Sequence, residues 1–302
     1  IMTKWDIPCT VVGKVTTGGM ARIFDGETQV GVVPGLMLAH APLYELSGEK
    51  PQLTADLQAY DLDSVPLPNQ APGDVLLQLL TSPNIGSKEW VYRQYDHQVQ
   101  TNTVLGPGQG DAALLWVKGT SRALALSTDG TGRMTYLDPY VGGAMAVAEA
   151  CRNVACTGAK PLAITDCLNF GNPERPEVAY QMKESVRGMV DACRALEVPV
   201  VSGNVSLYNE TRGEFVYPTP VVGAIGLMEN MERRVGSAFQ NEGDLVVLLG
   251  ASKIDGDATA LAGSEYLESV HGLVAGQPSL DLALETGVQR VCLRLVEEGM
   301  LH

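Results

Sequence analysis

D-P-Y-V-G-G-A-M-A-V-A-E-A-C-R-N-V-A-C-T-G (138–158) decides the fold of this chain. Asp138 is a good helix N-cap, Pro139 suits the first helical position, and Gly158 with Pro161 supplies the stop, so the stretch predicts a helix over 139–157. The Gly142-Gly143-Ala144 opening favours close packing against a neighbour. Working outward, strands are expected at 112–117, 122–128, 160–166, 198–202 and 220–228, with a helix over 174–197. The strands at 112–117 and 122–128 are almost continuously apolar, as in a buried sheet, and helices on one side of it are the natural packing.

On the N-terminal side, residues 8–15, 21–24 and 27–33 read as three short strands followed by a helix near 35–40. This segment is too small to bury a core of its own. Residues 45–72 carry Pro51, Pro66, Pro68 and Pro72 with no sustained period, which is linker composition, and short helical patterns follow near 74–81 and 87–95. On the C-terminal side a connector near 236–242 leads to an expected strand over 244–250 and helices near 261–270 and 280–298. That last unit has one strand and no partner for it.

The 302 residues are enough for two domains, and 45% apolar content is that of a packed protein. Lys and Arg number 21 against 35 Asp and Glu, for a net charge of -14. Such a surface repels phosphate backbones and anionic lipid, so neither nucleic acid nor membrane is an expected partner. No apolar run approaches the ~18 residues of a membrane span, and no basic-then-apolar leader is seen, so a cytoplasmic protein is expected. Six cysteines contain no C-x-x-C pair and read as reduced thiols; four scattered histidines offer no zinc spacing.

Four segments could carry chemistry. Gly106-Pro-Gly-Gln-Gly110-Asp111 offers unobstructed backbone N–H groups to a phosphate and a carboxylate to a cation, or is simply a tight turn. Glu149 and Asn153 lie four apart on one helix face and present hard oxygen donors of the kind Mg²⁺ selects, although such pairs commonly face solvent. Asp166 sits near the end of an expected strand, followed by Asn169, Gly171 and Asn172, where ligands gather in α/β arrangements. The run Val201 to Glu210 alternates polar oxygens after a strand, with Gly203 allowing close approach; it reads as a metal and substrate loop or a surface turn.

Six runs, N-T-V-L-G-P-G-Q-G-D (102–111), S-T-D-G-T-G-R (127–133), D-P-Y-V-G-G-A (138–144), L-N-F-G-N-P-E (168–174), S-G-N-V-S-L-Y-N-E-T (202–211) and P-T-P-V-V-G (218–223), together resemble the synthetase subunits of phosphoribosylformylglycinamidine synthases. The resemblance implies an α+β fold built from aminoimidazole-ribonucleotide-synthetase-like (PurM-like) units. Residues 1–45 would be the tail of a preceding C-terminal domain and 46–84 a linker. Residues 85–233 would be a second-copy N-terminal domain, and 234–302 the start of its C-terminal domain.

It implies an ATP-dependent ligase that turns formylglycinamide ribonucleotide and glutamine-derived ammonia into the amidine, with ATP and Mg²⁺ as cofactors. A glutaminase subunit and a small bridging subunit would be its partners, and a homodimer is open to it. By the same resemblance Asp166 and Gly203 contact ATP, Asn204 holds Mg²⁺ and Ser206 touches the substrate. Asp111, Glu149 and Asn153 match metal ligands of an auxiliary, structural nucleotide site. The family's catalytic histidine would lie before Ile1, so this stretch alone is expected to be inactive. Another enzyme of the same fold, such as aminoimidazole ribonucleotide synthetase, and a nucleotide-binding scaffold remain the alternatives.

Overall fold

The computed structural model describes residues 2–40, 43–250 and 257–301. The chain divides into two compact units, Ile1–Glu45 and Leu46–His302. In the first, β1 (Met20–Asp25) and β2 (Thr28–Pro34) form an antiparallel hairpin closed at Gly26, whose φ of 59° suits glycine, and α1 (Gly35–Ala39) follows. Neither strand buries a residue, in keeping with a segment too small for a core. The strand expected over 8–15 does not form; Val11, Val12 and Val15 stand exposed, with no strand paired to them among the described residues.

The second unit runs α2 (Gln52–Gln58), α3 (Pro72–Thr81), α4 (Glu89–Tyr92), β3 (Thr103–Leu105), β4 (Ala113–Trp116), β5 (Ala123–Asp129), α5 (Gly132–Leu137), α6 (Pro139–Cys156), β6 (Lys160–Asn169), α7 (Pro176–Leu196), β7 (Val200–Ser206), β8 (Glu210–Thr211), β9 (Glu214–Phe215), β10 (Thr219–Met228), α8 (Glu265–His271) and α9 (Leu282–Glu297). The segment with linker composition is therefore partly helical, since Gln58 reaches the Leu137 carbonyl at 2.6 Å and ties α2 to α5. The strand expected over 244–250 is absent, and Leu245 to Leu248 lie exposed with no strand beside them among the described residues.

Six strands form one sheet in the order β3-β4-β5-β10-β6-β7, antiparallel except for the parallel β6–β7 pair. Helix α6 lies on this sheet, and Ala144, Val147, Cys151 and Val154 of that helix share a core with Ala125, Ile164, Val222 and Ala224 of the strands and Met189 and Ala192 of α7. The opposite face carries Leu124, Leu126, Val221 and Ile225, half-buried or exposed. Asp138 caps α6 by accepting from the Val141 N–H at 3.0 Å.

Glycine sets the distance between α6 and α7. A Cβ on Gly143 would run into Ser185, and one on Gly188 into the Tyr140 carbonyl, so the two helices touch backbone to backbone. The contact is closed at one end by the Tyr140 hydroxyl donating to Asp191 at 2.9 Å and by the Arg187 guanidinium 4.5 Å above the Tyr140 ring. Gly188→Ala must push the helices apart or strain both, and should lower stability by about 3 kcal/mol, read as a lower urea midpoint with an unchanged slope.

A second tie joins distant segments. Arg133 pairs with Glu265 at 2.6 Å and with Glu268, while Glu265 also accepts from Ser82 at 2.9 Å, Asn84 at 3.0 Å and Ser269 at 3.0 Å. Burial pushes the Glu265 carboxyl up, but the donors from Asn84, Arg133, Ser82 and Ser269 outweigh it and hold it at about 2. Its folded value lies below its ordinary 4.5, so its contribution is complete above that value and is lost as pH falls toward about 2. The urea midpoints of the parent and Glu265→Gln should differ at pH 7 and converge only as pH falls from 4.5 toward about 2. A constant gap would refute this origin.

Candidate functional site

The parallel β6–β7 pair carries four of the expected site residues. Its register sets Asp166 opposite Gly203, Cys167 opposite Asn204 and Asn169 opposite Ser206. Strand β6 continues through Asn169, so Asp166 is inside the strand and not at its end. Strand β7 likewise reaches Ser206, so the expected loop over 202–206 is extended strand.

Alternation along the strands then assigns faces. Asp129, Val222, Asp166 and Gly203 form one transverse row across β5, β10, β6 and β7. Val222 belongs to the core under the helices, which puts Asp166 and Gly203 on the helix-covered face. Asn204 and Ser206 point to the other face, with Thr165 and Ser202, whose hydroxyls meet at 2.7 Å. A ligand touching all four residues must therefore wrap the β7 edge, and among the described residues β7 is an edge strand of the sheet.

Gly203 has a local reason. A Cβ there would come within 2.5 Å of Asp166 Oδ1, so the carboxylate lies over the glycine. Burial raises the Asp166 carboxyl above its ordinary range.

Beyond the strand, Asn209 fixes the turn. Its Nδ2 donates to the Phe170 and Ser206 carbonyls at 2.9 Å each, and its Oδ1 lies 3.2 Å from Ser206 Oγ, which holds that hydroxyl in place. Tyr208 adopts a φ of 60° to make the turn. Glu210 accepts from the Asn172 N–H at 3.2 Å and pairs with Arg175 at 3.5 Å, tying this turn to the start of α7.

The other expected residues gather at the far end of α6. Glu149 and Asn153 do share a helix face, and the sheet adds a residue that the spacing did not point to. Asp129, at the end of β5, accepts from Asn153 Nδ2 at 2.9 Å. Its position at a strand end before Gly130 was the available signal. Asp111 is near enough to push the Asp129 carboxyl up, and Asp129 does the same to Glu149.

Burial is the first cause of both rises, with Asn153 and Arg152 opposing it at Asp129 and Arg152 at Glu149. Arg152 itself is turned toward Glu285 of α9 at 2.7 Å and stands 3.9 Å from Glu149. The carboxylates are thus only partly neutralised from within the chain.

Their donor set of carboxylate and amide oxygens is of the hard type that suits Mg²⁺. Among the described residues, however, no three acidic, histidine or cysteine side chains converge closely enough to enclose a metal ion. Ligands from elsewhere, such as phosphate oxygens or water, would have to complete any shell. The neighbouring glycine turn is less open than its composition suggests: the Gly106 N–H donates to Gln109 Oε1 at 2.8 Å and the Gln109 N–H to the Gly106 carbonyl at 3.2 Å.

Raised carboxyls give a signed expectation. Asp129 ionises less readily when folded, so its contribution to stability is complete at acid pH and is lost as pH rises through its elevated value. Asp129→Asn should therefore raise the thermal midpoint at pH 7 in magnesium-free buffer, and the gain should vanish at pH ~3 in differential scanning calorimetry.

Residues 109–228 match the family model of AIR synthase related protein, N-terminal domain. Over 99% of its length the chain is 51% identical to phosphoribosylformylglycinamidine synthase subunit PurL of Moorella thermoacetica, of which it covers 40%. Among solved structures it is similar to Thermotoga maritima PurL complexed with FGAR (TM-score 0.57, 25% identity, 93% of this chain and 37% of that one). It is also similar to the same organism's PurL complexed with ATP (TM-score 0.50, 30% identity, 72% and 32%). The chain spans about two fifths of the length of the curated relatives it matches.

Proposed function

We propose that this chain belongs to the family of PurL-type phosphoribosylformylglycinamidine synthase subunits and forms part of the ATP-dependent ligase making formylglycinamidine ribonucleotide. What carries the reading is the end-to-end alignment at 51% identity, set against a fold that offers two separate polar clusters. The substrates are formylglycinamide ribonucleotide, ammonia derived from glutamine, and ATP. The γ-phosphoryl group passes to the substrate's amide oxygen, ammonia adds at the amide carbon, and phosphate leaves. Oxygen becomes a leaving group only through that transfer.

In this reading the β6–β7 edge is one wall of the reaction site. Asp166 and Gly203 meet ATP, Asn204 holds Mg²⁺ and Ser206, held by Asn209, orients the ribonucleotide. Bound there, Mg²⁺ would neutralise charge on the transferring phosphoryl group. Asp111, Glu149 and Asn153, joined by Asp129, form the auxiliary nucleotide and metal site, where phosphate oxygens complete the shell that the side chains leave open. A glutaminase subunit and a small bridging subunit supply ammonia and assemble the enzyme. Residues 46–84 then connect two PurM-like units, 85–233 is an N-terminal domain and 234–302 opens the domain after it. The absence, among the described residues, of any helix able to cross a membrane is compatible with work in the cytoplasm.

Isothermal titration with Mg·ADP distinguishes the two clusters. Glu149→Ala should weaken the tighter nucleotide binding at least about tenfold, whereas Asn204→Ala should leave it unchanged and lower amidine formation by the assembled synthase. Loss of tight ADP binding in Asn204→Ala alone would reverse the two assignments.

A further inference from the structure

The segment that leads into α2 is laid along the first turns of α7. The Glu49 N–H donates to the Pro176 carbonyl at 3.0 Å, and Lys183 Nζ donates to the Leu46 carbonyl at 3.2 Å. A Cβ on Gly48 would run into the Tyr180 backbone, so the segment lies directly on the helix. Helix α2 is fixed in turn by Gln58, whose amide reaches the Leu137 carbonyl at the end of α5. Between these pinned elements opens a cavity of about 550 Å³, within the range of roughly 300–1,000 Å³ of small-molecule sites.

Two aromatic rings line it. Tyr136 of α5 is steadied by Tyr217, with ring centroids 4.9 Å apart. Phe215 of β9 packs over Gly171, where a Cβ would strike it, and the Arg175 guanidinium stands 5.4 Å from its ring centroid. Pro51 and Pro176 add apolar surface. Set among these groups are Thr54 of α2 and Gln181 of α7, each only 4% exposed. Their polar atoms face the cavity and have no hydrogen-bond partner among the described residues. Buried amides and hydroxyls are seldom left so, and a ligand is what would satisfy them.

We propose that this cavity binds an uncharged, planar nitrogen heterocycle, namely a nucleobase carried as its nucleoside. The aromatic and proline surfaces offer faces against which such a ring packs. The Gln181 amide presents a donor and an acceptor together, and the Thr54 hydroxyl can act as either, which matches the mixed donor and acceptor edge of a base. Charge around the cavity selects a neutral ligand over a phosphorylated one. Glu49 and Glu177 are among the lining residues, and the nearby cations are engaged within the chain. Lys50 donates to Gln58 at 2.6 Å, and Arg175 stands 4.0 Å from Glu177 and 3.5 Å from Glu210. Neither is left to receive a phosphate. The lining includes no residue of the β6–β7 edge or of the Asp129 cluster, so the site is separate from both polar clusters.

Isothermal titration of the full chain with adenosine, inosine and uridine tests it, in saturating Mg·ADP so that the two polar clusters do not take up the nucleoside. At least one nucleoside should bind at a single site, and its 5′-monophosphate should bind more weakly. Gln181→Leu and Thr54→Val keep the shape and remove the polar groups, and each should weaken nucleoside binding at least about fivefold. Because those groups have no partner within the chain, neither change should lower the urea midpoint. Absence of binding by all three nucleosides at millimolar concentration would overturn the proposal. So would undiminished affinity in both variants, tighter binding of the monophosphate, or a lowered midpoint showing that the fold itself uses these two side chains.

Discussion

The architecture depends on how closely α6 and α7 approach. Gly143 against Ser185 and Gly188 against Tyr140 bring two helix backbones into contact, and no residue with a Cβ fits at either point. Because both helices share a core with the central strands, this spacing also sets how α6 sits on the sheet. The end of α6 that carries Glu149, Asn153 and Cys156 is consequently placed by two glycines more than one turn away. A packing constraint in the interior thus governs polar geometry at the rim.

Around that constraint the unit is tied by polar contacts between segments remote in sequence. The Arg133–Glu265 cluster draws in Ser82 and Asn84, and α9 is held to α6 through Arg152 and Gln289. These groups are partly shielded, so leaving one of them unpaired costs more than it would at an exposed pair. Desolvation raises the carboxyls of Glu265, Asp129 and Glu149 alike, and only at Glu265 do hydrogen-bond donors outweigh it. The donors around a carboxylate therefore decide whether its charge is held, as at Glu265, or left partly unneutralised, as beside Asp129.

Much of the fold was legible in the chain. Asp138-Pro139 and Gly158 bracket α6 to within a residue, because capping is a local interaction whose donors lie within one turn. The apolar runs of β4 and β5 announced a buried sheet for a similarly local reason. The expected strands at 8–15 and 244–250 failed to appear, since a strand exists only with a partner and no short-range pattern supplies one. Strand β3 and helix α5 went unpredicted, being too short to show a period.

For the candidate site the division is sharper. Sequence alone determined which oxygen-bearing residues were available and that Glu149 and Asn153 share a helix face, because each follows from neighbours along the chain. Tertiary structure alone decided that Asp129 meets Asn153, that Asp166 and Asn204 lie on opposite faces of the sheet, and that Gln289 of α9 reaches the Ala148 carbonyl of α6. Those relations depend on strand register and helix docking, which bring together residues tens to more than a hundred positions apart, and only the packed core fixes them.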